Sequence, residues 1–213
     1  MEYVVSFDGG GVLVKAGGND FRKYLNEKKV DNRFIDYYFR LRQGDVEKFS
    51  ERFNIDINEI YKFVNEKKEP EYYEDAVAIL QDMRRKNIHI ICMSNSISLF
   101  EGNLQAISKY FDKRIDSYKI GMLKPDVRMF QFAEKGYHRD TIFIHVGDSV
   151  LADIVGANKA NWWSILIDRK KEYISKELVG DQKPDYIIND LYELNDIVKK
   201  IDCKKGGYDR VIK

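Results

Sequence analysis

Two carboxylates, a hydroxyl beside an amide and one ammonium stand out in this 213-residue chain, each at the end of an apolar run or in a loop. Tyr3-Val4-Val5-Ser6-Phe7 runs into Asp8 and then into Gly9-Gly10-Gly11. Ile88 through Met93 runs into Ser94-Asn95, and Thr141 through Val146 runs into Gly147-Asp148-Ser149. Lys124 lies in the loop Gly121 to Asp126. Short apolar runs of this kind read as strands buried on both faces. In a parallel α/β sheet, ligands bind beyond the carboxyl ends of the strands. Brought to one edge, Asp8 and Asp148 could hold a hard cation, Ser94 and Asn95 could donate to an anion, and Lys124 could neutralise charge. Sites with few carboxylates suit Mg²⁺, which shares its shell with phosphate oxygens. That chemistry is phosphoryl transfer, in which metal and lysine balance charge while a nucleophile attacks in line.

Other readings of the glycines fail on spacing. A Walker loop needs Gly-Lys-Ser/Thr after its spacer, and a dinucleotide fingerprint needs a third glycine where Val14 stands. Lys+Arg 36 against Asp+Glu 35 leaves a net charge of +1, which gives no basis for nucleic acid or a membrane surface as partner. The expected partner is a small phosphorylated metabolite. Cys92 and Cys203 are too few for a disulfide framework. No basic leader precedes Asp8 and no apolar run reaches the ~18 residues of a membrane span, so a cytoplasmic protein is expected.

The elements that must position these groups follow from periodicity. Gly17-Gly18-Asn19-Asp20 offers an N-cap for a helix through Phe21 and Tyr24. Phe34, Tyr37, Tyr38 and Leu41, then Phe49, Phe53, Ile60 and Phe63, recur at helical spacing, with breaks at Gly44-Asp45 and Asn54-Ile55-Asp56. Residues 15–70 therefore read as a helical insert. Pro70 restarts a helix that ends in Arg84-Arg85-Lys86. Helices are expected from Leu99 to Phe111, from Pro125 to Gly136, up to Asn161, and from Leu191 to Ile201. Strands are expected near Ile115 to Ile120, Trp162 to Ile167 and Tyr186 to Asn189. The alternation predicts an α/β core, a doubly wound, Rossmann-like parallel sheet, over 1–14 and 71–203. Residues 204–213 form a polar tail, expected to be disordered.

The motifs resemble those of the haloacid dehalogenase (HAD) superfamily of hydrolases. Phe7-Asp8-Gly9-Gly10-Gly11-Val12-Leu13 resembles the first motif, Met93-Ser94-Asn95 the second, Gly121 through Phe130 the third and Val146 through Ala157 the fourth. The insert falls where that family carries a type 1 helical cap. The resemblance implies that Asp8 is a nucleophile forming an aspartyl-phosphate. It also implies that Ser94, the backbone of Asn95, Gly9 and Lys124 hold the phosphoryl group, and that Asp8, the Gly10 carbonyl and Asp148 hold Mg²⁺. Asp153 would anchor Lys124 or the metal's waters, with Ser149 beside it.

One position departs from the family. Phosphatases of the superfamily usually carry a second aspartate two residues after the nucleophile, where this chain has Gly10. That aspartate protonates the leaving oxygen and then activates water. General acid-base help contributes roughly 10²–10⁴ in rate, so slow turnover on alkoxide leaving groups is expected. Two other readings remain open: a degenerate member that binds a phosphorylated ligand or protein partner without turnover, and a dehalogenase, whose halide leaves without a proton. Elsewhere the bland reading is preferred. His145 is expected to be a packed strand residue, and Arg33, Arg40 and Arg42 to form the wet face of an amphipathic helix.

Overall fold

The computed structural model describes residues 2–15, 18–66, 69–173 and 176–205. Six strands form one sheet: β1 (Tyr3–Phe7), β2 (His89–Ser94), β3 (Lys113–Asp116), β4 (Ile142–Gly147), β5 (Trp163–Ile167) and β6 (Tyr186–Ile188). Their order is β3-β2-β1-β4-β5-β6, and every neighbouring pair is parallel. After β3 the chain returns past β1 to lay down β4, so the order reverses beside β1, the place where such sheets open a crevice. Helices cover both faces. One apolar layer joins Val5, Phe7, Leu80, Ile90 and Ile144 to the final helix, and another joins Val4, Ile91, Phe130 and Trp162. Fully burying each such side chain contributes about 1.5–3 kcal/mol. The fold is the expected doubly wound α/β sheet.

Between β1 and β2 run α1 (Gly18–Glu27), α2 (Asn32–Ile35), a π turn (Asp36–Arg40), α3 (Val46–Phe53), α4 (Ile57–Asn65) and α5 (Glu74–Arg85). Aspartates start three of these helices. Asp31 accepts from the Arg33 amide, Asp45 from the Lys48 amide and Asp56 from the Asn58 amide, caps that contribute about 1 kcal/mol each. The sequence breaks at Asp45 and Asp56 are thus helix starts. Phe21, Leu25, Phe39, Phe49 and Ile60 give the insert its own apolar cluster, closed by Ile97 and Phe100 from beyond β2. The chain enters and leaves through paired segments, with Val14 bridged to Tyr72 and the Lys15 amide donating to the Glu71 carbonyl at 2.8 Å.

Several local expectations shift. Pro70 starts no helix: α5 begins at Glu74 because Glu71 to Tyr73 pair with the chain leaving β1. Asp20 lies inside α1 rather than capping it, and Gly17 lies outside the described residues. The strand expected at Ile115 to Ile120 is Lys113–Asp116, followed by the short helix α6 (Ser117–Ile120). It is an edge strand, and its charged Lys113 and Arg114 hide it from a search for apolar runs. The segment Ser98–Tyr110 is a 3-10 helix kinked at Phe100. Beyond α7 (Val127–Glu134) and β4, a second π turn (Val150–Ile154) leads into α8 (Val155–Lys159). The final helix, α9 (Leu194–Lys205), takes in the first two residues of the expected tail, and 206–213 lie outside the described residues.

Candidate active site

Register brings the chemical groups together. Phe7 pairs with Cys92 on one side and with Val146 on the other. Asp8, Ser94 and Asp148 therefore emerge within two residues of the same level on one sheet edge. The Asp8 amide donates to the Val146 carbonyl at 2.9 Å, which ties the two acidic strand ends. They line a cleft of about 350 Å³, together with Gly9, Gly10, Asn95, Lys124 and Ser149.

Lys124 is buried at the centre of this arrangement. Its Nζ donates to Asp8 Oδ1 at 2.8 Å and to the Met93 carbonyl at 2.8 Å, and it pairs with Asp153 Oδ1 at 2.6 Å. Burial alone would lower the lysine's pKa, but the charges of Asp153 and Asp8 outweigh it and raise the value, so the ammonium persists. Asp153 is buried as well; Lys124 and His145 overcome that burial and hold its carboxyl well below the usual range. His145 stands behind Asp153, with Nε2 3.0 Å from Asp153 Oδ1 and Nδ1 3.1 Å from Ser6 Oγ. Burial lowers its pKa. A neutral ring then donates from Nε2 to the carboxylate and accepts from the Ser6 hydroxyl. His145 is packed, as expected of a strand residue, and it also fixes Asp153.

The Asn95 side chain has a post of its own, which leaves the role implied for its backbone unaffected. Its Oδ1 accepts from the Lys124 amide at 2.8 Å and its Nδ2 donates to the Lys124 carbonyl at 2.9 Å. The amide side chain thus clamps the lysine loop instead of facing an anion. Ser94 is buried and lines the cleft. Ser149 caps the turn after β4, accepting from the Ala152 amide, while its own amide donates to Asp153 Oδ2 at 3.0 Å.

The acidic groups converge. Asp8, Asp148 and Asp153 each offer a carboxylate oxygen, and these lie within 4.8 Å of one another. Water reaches Asp148 through the cleft. The surrounding protein, together with the charges of Asp8 and Asp153, still pushes its pKa up to about 7. Crowded anionic oxygens of this kind match the needs of a hard cation. Gly11 is required here: its φ is +78°, and a Cβ would lie 2.0 Å from Asp148 Oδ2. Gly10 carries no such demand, since a Cβ there meets no atom within 4 Å.

Two residues escaped the sequence reading altogether or were misread. Arg22 of α1 and Arg40 of the π turn also line the cleft, with side chains 27% and 18% exposed. The expectation that Arg40 belongs to a wet face is corrected by the turn's geometry. The Leu41 amide donates to the Asp36 carbonyl, a five-residue span, and each extra residue rotates a helix face by about 100°. Arg33, paired with Asp31, and Arg42, stacked on Tyr37, do face solvent.

At one edge of a doubly wound parallel sheet, two strand-end aspartates meet a loop lysine and the Asp153 of a π turn, the arrangement expected of a hydrolase of the family the motifs resemble. The chain belongs to the haloacid dehalogenase-like hydrolase family, whose model matches residues 5–161. It is 34% identical over 97 residues to the glyceraldehyde 3-phosphate phosphatase of Methanocaldococcus jannaschii, covering 45% of this chain and 41% of that protein. The chain spans about half the length of the curated relatives it matches. Among solved structures, a 2-haloacid dehalogenase from Pseudomonas syringae superposes with a TM-score of 0.69 at 18% identity, covering 94% of this chain and 100% of that one. A HAD phosphatase from Thermococcus onnurineus superposes with a TM-score of 0.66 at 18% identity, covering 93% and 98%. At such identities the likeness concerns the fold. No helix among the described residues is long and apolar enough to cross a membrane.

Proposed function

We propose that the protein is a Mg²⁺-dependent phosphomonoester hydrolase in which Asp8 is the nucleophile. The observation that carries this reading is the cluster of Asp8, Asp148 and Asp153, with Lys124 bound to Asp8 at 2.8 Å. Asp8, Asp148 and the Gly10 carbonyl would hold the metal; among the described residues no hydrogen bond engages that carbonyl. Bound there, Mg²⁺ would supply electrophilic charge beside the transferring phosphoryl group. Ser94 and the backbone of Gly9 and Asn95 would receive the phosphoryl oxygens.

Asp8 attacks phosphorus, the bond to the leaving oxygen breaks, and an aspartyl-phosphate forms. The leaving alkoxide takes its proton from water, because Gly10 has none to give. Water then attacks phosphorus, the bond to Asp8 breaks and inorganic phosphate departs, restoring the carboxylate. Lys124 stays charged throughout and offsets the negative charge that develops. The relative from Methanocaldococcus jannaschii, a phosphatase by name, supports the phosphate ester as substrate. The helices of residues 15–70, over a core of 1–14 and 71–203, would serve as a cap on the cleft.

Gly10 keeps a second reading in view, a protein that binds a phosphorylated ligand without turnover. Phosphate release from p-nitrophenyl phosphate, with and without Mg²⁺, separates the two. Metal-dependent release that Asp8→Asn abolishes is expected; release that survives Asp8→Asn refutes the nucleophile assignment. Binding with no release at all favours the second reading. Chloride release from 2-chloropropionate would point instead to dehalogenation, against which the acidic cluster at Asp148 speaks.

A further inference from the structure

We propose that Arg169 is a positioning residue for the metal, clamping the two peptides beyond Gly10 so that the Gly10 carbonyl and Asp148 are held ready for the cation. This inference rests on the Mg²⁺-dependent reading of the cleft.

The carbonyls of the loop after β1 carry the argument. The Gly9 carbonyl accepts from the Leu13 and Val14 amides at 3.0 Å each, the Leu13 carbonyl from the Tyr73 amide at 3.1 Å, and the Val14 carbonyl from the Gly11 amide at 2.8 Å. The carbonyls of Gly11 and Val12 turn instead to one side chain. Arg169 Nε donates to the first at 3.3 Å and Nη2 to the second at 3.0 Å. From Gly9 to Val14, then, only the Gly10 carbonyl accepts no hydrogen bond among the described residues. With its neighbours taken, it is the loop's one oxygen left for a hard cation.

Three consecutive glycines are a poor support for such an arrangement, because without Cβ atoms their backbone is free to turn. Arg169 supplies the restraint from outside the loop. It follows β5, and its guanidinium is fixed on the far side as well: Nη1 and Nη2 donate to Asp75 Oδ2 and Oδ1 at 2.8 and 3.0 Å, and the central carbon lies 3.7 Å from the centre of the Tyr73 ring. Asp75 is buried in the first turn of α5 and also accepts from the Leu191 amide at 2.8 Å. The planar fork therefore reaches the loop from a rigid base. Asp148 gains from the same restraint, since it packs so closely on Gly11 that a Cβ there would collide with Oδ2. Arg169 itself lines no part of the cleft and acts through the loop.

The test separates metal affinity from stability. Each full-length protein is melted over a series of Mg²⁺ concentrations, and the rise of Tm above that protein's own metal-free value gives its affinity. Arg169→Met should weaken Mg²⁺ binding by about tenfold or more. Arg169→Lys keeps an ion pair with Asp75 but cannot span two carbonyls, so it should recover more of the metal-free Tm than of the affinity. Ile201→Ala, which opens a cavity in α9 away from the cleft, should lower the metal-free Tm and leave the affinity alone. Affinity within about twofold of wild type in Arg169→Met overturns the proposal, and so does an equal loss in Ile201→Ala. If Arg169→Met fails to fold, Arg169→Lys decides by the same criterion. Phosphate release from p-nitrophenyl phosphate by the wild type is scored separately. Mg²⁺ binding that depends on Arg169 without any release refutes the phosphatase reading alone, and release beside an affinity indifferent to Arg169 refutes the positioning role alone. A wild type that binds no Mg²⁺ refutes both.

Discussion

Under the proposed mechanism, replacing Gly10 by aspartate should raise the rate of hydrolysis of alkyl phosphates. The position tolerates the change. A Cβ at Gly10 meets no heavy atom within 4 Å, whereas one at Gly9 would lie 3.3 Å from Ser94 Oγ and one at Gly11 would collide with Asp148. Gly10 is also exposed, at the cleft. A new carboxylate there repels Asp8 and Asp148, but through water such terms are about 1 kcal/mol or less each. Loss of glycine's freedom in the unfolded chain returns about 0.4–1 kcal/mol. Stability should then change by about 1.5 kcal/mol at most. Against this stands a gain of roughly 10²–10⁴ in rate from a positioned acid, equivalent to about 3–5 kcal/mol of barrier.

The leaving group provides the internal control. Nitrophenolate departs without a proton, so p-nitrophenyl phosphate should gain little, while glycerol 3-phosphate should gain most of the factor. The assay is kcat/KM for both substrates in Mg²⁺, wild type beside Gly10→Asp, with Tm recorded to show that the variant is folded. A folded variant with no gain on the alkyl ester, or with equal gains on both esters, refutes the reasoning. Either result would mean that a missing proton donor is not what limits the wild type.

The remaining predictions concern stability and pH. Asp148 ionises near 3.8 when unfolded, but in the fold the surrounding protein and the charges of Asp8 and Asp153 push it up to about 7, although water reaches it. Between those values the folded chain holds a proton that the unfolded chain has released, so raising pH costs the metal-free wild type stability. Tm in chelator should therefore show Asp148→Asn gaining on the wild type from pH 4 to 7 and levelling above it; a difference that does not vary with pH refutes the shift. Arg169 makes two bonds to the buried Asp75, at 2.8 and 3.0 Å, and donates to the Gly11 and Val12 carbonyls. Arg169→Met leaves that carboxylate with the Leu191 amide, which donates to Oδ2 at 2.8 Å, but without the cation, at a cost of about 3 kcal/mol, or roughly 6–12 °C in Tm for a chain of this size. A fall under about 2 °C in a thermal melt would refute the clamp.

How much of this was legible in the sequence depended on where the information lies. Asp8, Ser94 and Asp148 could be placed because each follows a run buried on both faces, and a parallel sheet leaves such residues only one edge to share. Lys124 was legible only through its resemblance to a motif, since nothing in a loop's composition aims an ammonium at an aspartate. β3 was misplaced because an edge strand is allowed its charges, and Lys113 spends one on the Ala133 carbonyl at 3.1 Å. Arg40 was misread because helical periodicity assumes an unbroken turn. A single five-residue span at Asp36 carries the side chain from the expected outer face into the cleft.

Arg22 shows the deeper limit. It lies eighteen residues before Arg40 in a separate helix, and the two meet only because both reach Asp36. Local pattern ranks residues by the water they need, and by that measure an arginine on an amphipathic helix is always satisfied by solvent. The cluster becomes informative only when packing removes the solvent. Phe21 and Phe39, the immediate neighbours of the two arginines, are fully buried in the insert's core. Each anchors the backbone from which its arginine extends, and the rings lie 5.5 Å apart in an edge contact. The apolar core of the insert thus positions the cations of the cleft. Phe39→Ala, which leaves every charge in place, should for this reason loosen both guanidiniums and cost about 3–5 kcal/mol of stability, or roughly 6–20 °C in Tm for a chain of this size. A Phe39→Ala protein whose thermal midpoint falls by less than about 3 °C would show that the aromatic core does not carry the segment from which Arg40 extends.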